Sequence, residues 1–254
     1  GGLIYGSNIN ISTGKYNIKV GNGDIKASDG TNSSFESLYT GVEYTAIGGG
    51  GGVLGGKEES KVNYGGSGGG GASYYENGNL VPDIGGKGEP GQGYNGGDGL
   101  VPNEYGTYGN FGPTDGGGGG GAGSDGYPSA NFIGGNGGIG RIINITGSPI
   151  YYAGGGGANE GSGGLGGGGG NSNYGIVNGV QNTGGGGGGG SGGSLSGGSL
   201  YNLSGLTAGR GGSGIVIIKY RLSKVSQPTI KLINGTQNDS NTDYKICNDE
   251  NNFK

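Results

Sequence analysis

Val42-Glu43-Tyr44-Thr45-Ala46-Ile47-Gly48-Gly49-Gly50-Gly51-Gly52 begins as a strand and ends as a run of glycine. Polar and apolar residues alternate through Val42–Ile47, the period-two pattern of a half-buried strand. No turn residue separates that pattern from the glycines. The same junction occurs at Tyr152-Ala153, which leads into Gly154–Gly157. It occurs in reverse where Gly209–Gly214 leads out into Ile215-Val216-Ile217-Ile218-Lys219-Tyr220-Arg221-Leu222. Strands that feed glycine runs directly place the runs between strands of one β scaffold, not in a free linker.

The glycines are concentrated. Of 78 in 254 residues, eight lie in residues 1–47 and one, Gly235, lies beyond residue 214; the other 69 lie in residues 48–214. Glycine in runs, with only seven prolines, excludes the strict every-third repeat of collagen. High glycine with few large aliphatic residues is the composition of disorder. Disorder also brings high net charge, whereas this chain carries −4 and 17 tyrosines. The start at Gly1-Gly2 and the absence of methionine suggest a processed or partial chain.

The remaining strand signals are ordinary. Isoleucines alternate with polar residues in Asn8–Ser12. Tyr16, Ile18 and Val20 share one face of Lys15–Val20, and Thr13-Gly14 between the two reads as a hairpin turn. Arg141–Thr146 and Ile150–Ala153 flank the turn Gly147-Ser148-Pro149. Ile215–Leu222 opens with four apolar residues and reads as a central strand. No stretch has helical periodicity, and glycine opposes helix by about 1 kcal/mol per residue. Essentially no α-helix is expected.

Ordering 69 glycines costs on the order of 100 kcal/mol of backbone entropy. Only a systematic arrangement offsets such a cost. The polyproline II helix has about 3.1 Å rise per residue and no internal hydrogen bonds. Without Cβ atoms, such helices pack side by side and bond laterally through every peptide, at about 1 kcal/mol net per bond. The runs therefore read as a bundle of polyglycine II helices. The intervening stretches Tyr74–Asn79, Asn103–Tyr108 and Ser124–Pro128 read as turns at its ends.

Composition removes most chemistry. With no histidine there is no Ser-His or Cys-His couple and no imidazole metal ligand. The single cysteine, Cys247, excludes an intrachain disulfide and a cysteine zinc site; it reads as a free thiol, with an intermolecular disulfide as the minor alternative. Glu58-Glu59, Asp24, Asp29, Asp115 and Asp249-Glu250 lie in polar, turn-like sequence where solvated carboxylates are the default, so no catalytic residue is expected. Phosphate-loop and EF-hand patterns are absent, and neither metal nor cofactor is expected. The acidic balance offers no stripe for nucleic acid, and no apolar stretch exceeds four residues, so no membrane insertion is expected. The tyrosines remain. Tyr16, Tyr44 and Tyr220 sit in strands as packing residues. Tyr74, Tyr75, Tyr94, Tyr105, Tyr108 and Tyr127 sit in the turn-like stretches. These six either cap the bundle ends or contact a ligand, since tyrosine joins a rigid apolar face to a polar tip.

The stretches YTAIGGGGG (Tyr44–Gly52), YYAGGGG (Tyr151–Gly157) and above all GGSGIVIIKY (Gly211–Tyr220) carry a resemblance. Over residues 14–222 the chain resembles the glycine-rich domain common in bacteriophage tail-fibre proteins and in structural proteins of large DNA viruses. More distantly it is similar to the glycine-rich domain of the anaplastic-lymphoma-kinase receptor family, in which a β-sandwich carries an inserted bundle of polyglycine helices. That family implies disulfides, which this chain cannot form internally. The tail from Ser223 matches neither.

The resulting expectation is an all-β chain: an antiparallel β-sandwich scaffold with an inserted polyglycine II bundle. The scaffold takes residues 1–47, 139–153 and 214–222, and the bundle residues 48–138 and 154–213, in one domain over 1–222. A polar linker or C-terminal extension follows over 223–254. The resemblance implies a non-enzymatic fibre or tail-tip protein on a virion surface or outside the cell. It would self-associate, as a trimer by fibre analogy, and touch a host-surface glycan or protein. A purely structural subunit of a fibre, capsid decoration or extracellular filament is the alternative; ice binding is the weaker third, since the bulky turns break up flat faces.

Overall fold

The computed structural model describes residues 1–24, 28–52, 64–76, 79–82, 84–99, 116–130, 133–158, 160–172, 175–188, 208–220 and 245–248. Among them there is no helix, and the regular elements are all strands. They are β1 (Tyr16–Lys19), β2 (Ser33–Ser37), β3 (Glu43–Ala46), β4 (Ser73–Glu76), β5 (Asn79–Pro82), β6 (Arg141–Ile143), β7 (Ile150–Tyr152), β8 (Asn171–Ser172), β9 (Gly175–Ile176), β10 (Ile217–Tyr220) and β11 (Lys245–Asn248). The chain is all-β, and the described strands form five small sheets: β1-β2-β3, β4-β5, β6-β7, β8-β9 and β10-β11. The first four are antiparallel and β10-β11 is parallel.

Several sequence expectations need correction. Asn8–Ser12 is not a strand: Asn8 takes a left-handed φ of 57°, Ile9 and Ile11 stay exposed, and no described strand pairs with them. Thr13-Gly14 is a bend leading into β1, whose partner is instead β2, Ser-Ser-Phe-Glu-Ser, a stretch with little strand signal of its own. The segment Tyr74–Asn79 is not a loop, because Tyr74 and Tyr75 lie in β4 of the β4–β5 hairpin. β10 is not central among the described strands: it pairs with β11 (Lys245–Asn248) alone. The β6–β7 hairpin closes where Gly147-Ser148-Pro149 was read as a turn, with Gly147 at φ 96°.

Between the strands the glycine runs bond sideways, and the bonding repeats every third residue. Gly117 and Gly120 donate to Gly71 and Gly68; Gly118 and Gly121 donate to Tyr127 and Ser124; Gly119 and Ala122 donate to Gly156 and Ala153, all at 2.8–2.9 Å. The carbonyls follow the same step, Gly116 and Gly119 accepting from Gly135 and Gly138, and Gly118 and Gly121 from Gly97 and Tyr94. This one run is therefore bonded to five others. The step recurs as Gly137 and Gly140 donate to Ser162 and Leu165, Gly209 and Gly212 to Gly188 and Gly185, and Gly211 and Gly214 to Asp24 and Gly21.

Such contacts need the missing Cβ. A Cβ on Gly118 would lie 2.0 Å from the Asn136 oxygen, and one on Gly155 2.0 Å from the Gly119 oxygen. Apolar burial contributes little in return. The buried apolar residues described are Ala72, Ala122, Ala153, Ala158 and Tyr152. The interior is thus peptide backbone, held by hydrogen bonds worth about 1 kcal/mol net each.

The bond register also sorts the two ends of the body. Ala122 bonds to Ala153, Ala153 to Thr183, Thr183 to Ser213, and Gly214 to Gly21, so these residues share one end. From it rise β6–β7, β10 and β1, with β2 and β3 paired beside β1. Gly71 bonds to Gly117, Gly135 to Gly116, Ala158 to Gly135, Val177 to Gly170 and Gly209 to Gly188 at the other end. There the chain turns back through the β4–β5 and β8–β9 hairpins and the Ala130–Ile133 bridge.

Candidate functional site

The turn tyrosines among the described residues fall in two places. Tyr74 and Tyr75 lie in β4, at the hairpin end. Tyr105 and Tyr108 lie outside the described residues. Tyr94 and Tyr127 stand on the side of the body, on neighbouring runs joined by the bond from Gly126 N–H to the Asn95 carbonyl at 2.9 Å. Tyr94 donates its N–H to Gly121, and Tyr127 accepts on its carbonyl from Gly118, so the two rings are offset by three residues of the run between them. They are 48% and 55% exposed, which leaves both rings accessible. Of the strand tyrosines, Tyr16 stacks on Phe35 at 5.0 Å, and Tyr44 lies opposite Phe35 in register.

The polar side chains of the runs have a different task, which sequence reasoning took only for turn formation. Asp125 Oδ1 accepts the Asn95 N–H at 2.9 Å while Gly126 N–H donates to the Asn95 carbonyl. Asn136 Oδ1 accepts from Ser162 N–H at 2.8 Å while Gly137 N–H donates to the Ser162 carbonyl. Asn178 Oδ1 accepts from Arg210 N–H at 2.8 Å while Gly179 N–H donates to the Arg210 carbonyl. In each, a side-chain oxygen and the next amide grip both polar groups of one residue on a neighbouring run. The signal was present as Asn-Gly and Asp-Gly steps inside glycine runs.

Two further carboxylates serve the same lattice. Asp29 Oδ1 accepts from Gly51 N–H at 2.9 Å and Asp98 Oδ1 from Gly85 N–H at 2.8 Å. Among the described residues no group of three or more Asp, Glu or Cys side chains is placed to hold a metal ion. Glu58-Glu59, Asp115 and Asp249-Glu250 lie outside the described residues. Among the described residues the one displaced titration is that of the Gly1 amine, which donates to Ser67 Oγ at 2.9 Å. Gly1 keeps part of its surface in solvent, but its amine is enclosed, and burial lowers that pKa from 8.0 to about 5.

A body of laterally bonded glycine runs, pinned by Asn and Asp side chains and edged by short strands, defines a class of protein: a glycine-rich domain. A family model of that description matches residues 1–221, and the chain belongs to the glycine-rich domain family. Comparison with curated proteins and with solved structures finds no match.

Proposed function

We propose that the chain is a non-enzymatic structural protein of a virion fibre or tail tip, and that its hairpin end is adhesive. The observation that carries this reading is the difference between the two ends. One gathers β1–β3, β6–β7 and β10, and the other turns back through hairpins that include Tyr74 and Tyr75. A bonded body with tyrosines in the hairpins of one end suits recognition of a host-surface glycan or protein. The viral setting rests on the resemblance of the three glycine-junction stretches. The runs themselves we take to be polyglycine II helices, because three residues per turn returns each N–H to the same neighbour at every third position.

A glycan array under multivalent display tests the adhesive role. Wild type should bind, and the Y74A/Y75A and Y105A/Y108A variants should lose binding while keeping the wild-type melting temperature. Absence of binding by the wild type rejects adhesion. Fast amide exchange throughout the runs rejects the ordered polyglycine II bundle.

A purely structural subunit is the second reading, favoured by large apolar side chains left in solvent, among them Tyr39 at 81% and Ile84 at 69% exposure. Such residues are covered when copies assemble. Sedimentation that finds only monomer across the accessible concentration range removes this reading, and the trimer with it.

A further inference from the structure

The described asparagines that precede glycine fall into two states. Asn95, Asn136 and Asn178 each have Oδ1 engaged, by the N–H groups of Gly88, Ser162 and Arg210 at 2.8–3.0 Å. The amide that follows each is engaged too: Gly96 donates to Gly86, Gly137 to Ser162 and Gly179 to Arg210, at 2.8–2.9 Å. Asn22-Gly23 differs. Asn22 bonds to Thr31 through its main chain only, its N–H donating to Thr31 Oγ1 and its carbonyl accepting Thr31 N–H, both at 2.9 Å. Its residue is exposed, and neither its side-chain amide nor the Gly23 N–H makes a hydrogen bond in the described structure.

We infer that, among the described Asn-Gly steps, Asn22 is the spontaneous modification site of the folded protein: it deamidates through a cyclic imide with Gly23, while Asn95, Asn136 and Asn178 are protected by their clamps. In the reaction the Gly23 amide nitrogen gives its proton to hydroxide and attacks Asn22 Cγ. An N–Cγ bond forms and the Cγ–Nδ2 bond breaks; the departing nitrogen takes a proton from water, which restores the hydroxide, and leaves as ammonia. Water then opens the imide at either carbonyl, giving aspartate or the β-linked isoaspartate. Water is the only co-reactant, and no oxidation or reduction occurs. At the clamped sites the attacking nitrogen still holds its hydrogen in a bond, and the side-chain carbonyl is held by a donor from another run. Both must open first.

The position gives the modification a structural effect. The bonds from Gly214 N–H to the Gly21 carbonyl and from Gly211 N–H to the Asp24 carbonyl straddle Asn22-Gly23. Isoaspartate adds one main-chain carbon between these two anchors, so they can no longer both keep their register. The contact that joins the first run to the last is then loosened.

The test is timed incubation of the full chain in mildly alkaline buffer, followed by peptide mapping that distinguishes aspartate from isoaspartate, in parallel with a sample held in urea. In the folded protein Asn22 should convert about tenfold or more faster than Asn95, Asn136 and Asn178, since hydrogen-bonded sites react only through local opening. In urea the four rates should converge. Equal rates in the folded protein overturn the inference. So does persistence of the folded-state order in urea, which would assign the difference to neighbouring sequence and not to the fold.

Discussion

Gln92 accepts the Ile47 N–H on its side-chain oxygen at 2.8 Å, and its Nε2 donates to the Thr45 carbonyl at 3.2 Å. A side-chain amide thus takes the place of a neighbouring strand along the outer edge of β3. The same residue receives Leu3 N–H on its main-chain carbonyl at 2.9 Å, which ties the amino-terminal segment to that edge. Open edges invite pairing with other chains, and this one is closed locally.

Removing that clip tests its weight. Q92A leaves the Ile47 N–H and the Thr45 carbonyl without their side-chain partners, each in a half-buried strand end. We expect a loss of about 2 kcal/mol, from two hydrogen bonds at about 1 kcal/mol each. Chemical denaturation measures it. A change below about 0.5 kcal/mol would mean that water replaces the amide at no cost.

The Asn clamps make a second, residue-specific prediction. N136A and N178A should each cost about 1 kcal/mol and speed amide exchange at Ser162 and Arg210 respectively. N136D should keep both stability and protection, because Asp125 fills the equivalent role at Asn95. Uniform acceleration across the chain, with no emphasis at Ser162, would contradict a local clamp.

Glycine-to-alanine changes should separate the packed runs from the open positions. At Gly155 the new Cβ meets backbone at 2.0 Å, and no flexible side chain can yield. G155A should cost about 3 kcal/mol or more, as overpacking against a fixed backbone does. Gly52 has nothing within 4 Å and no left-handed φ, so G52A should change stability by less than about 0.5 kcal/mol. Gly41 has equal space but φ +69°, and G41A should cost about 1 kcal/mol from conformation alone. Melting temperatures that follow space and φ in this order are the check.

In a chain that starts at Gly1, stability should depend on pH between 5 and 8. The unfolded amine takes up its proton below its usual 8.0, whereas the folded amine stays neutral down to about 5. Across that window the unfolded state binds more protons, so stability rises with pH. It is complete above 8, falls as pH drops toward 5, and is flat below. The chain has no histidine, so no imidazole contributes in the same range. Unfolding free energies at several pH values should show the positive slope, limited to about 1.4 kcal/mol per pH unit for one proton. A flat profile would mean that the amine reaches solvent.

Much of the fold was legible because strands announce themselves by side-chain alternation. Glu43–Ala46, Arg141–Ile143 and Ile150–Tyr152 sit where that pattern and the Gly147 turn placed them. What failed was alternation without a partner, at Ile9 and Ile11, and a partner without alternation, at Ser33–Ser37. The lateral order of the runs was not legible, because Gly117, Gly118 and Gly119 carry identical side-chain information yet bond to three different neighbours. The tyrosines were visible as residues, but their division between hairpin end and side wall depends on that hidden order.

The three-residue step has a mechanical consequence. A strand bonds to its neighbours within one plane, so force along a ribbon can peel it from an edge, one bond at a time. Here a single run is fastened all round its circumference, and its neighbours run both with and against it. Tension applied between the strand end and the hairpin end is carried along covalent backbone in parallel lines. To slip, one run must break its whole collar of bonds together, and the body resists stretching as a cable does.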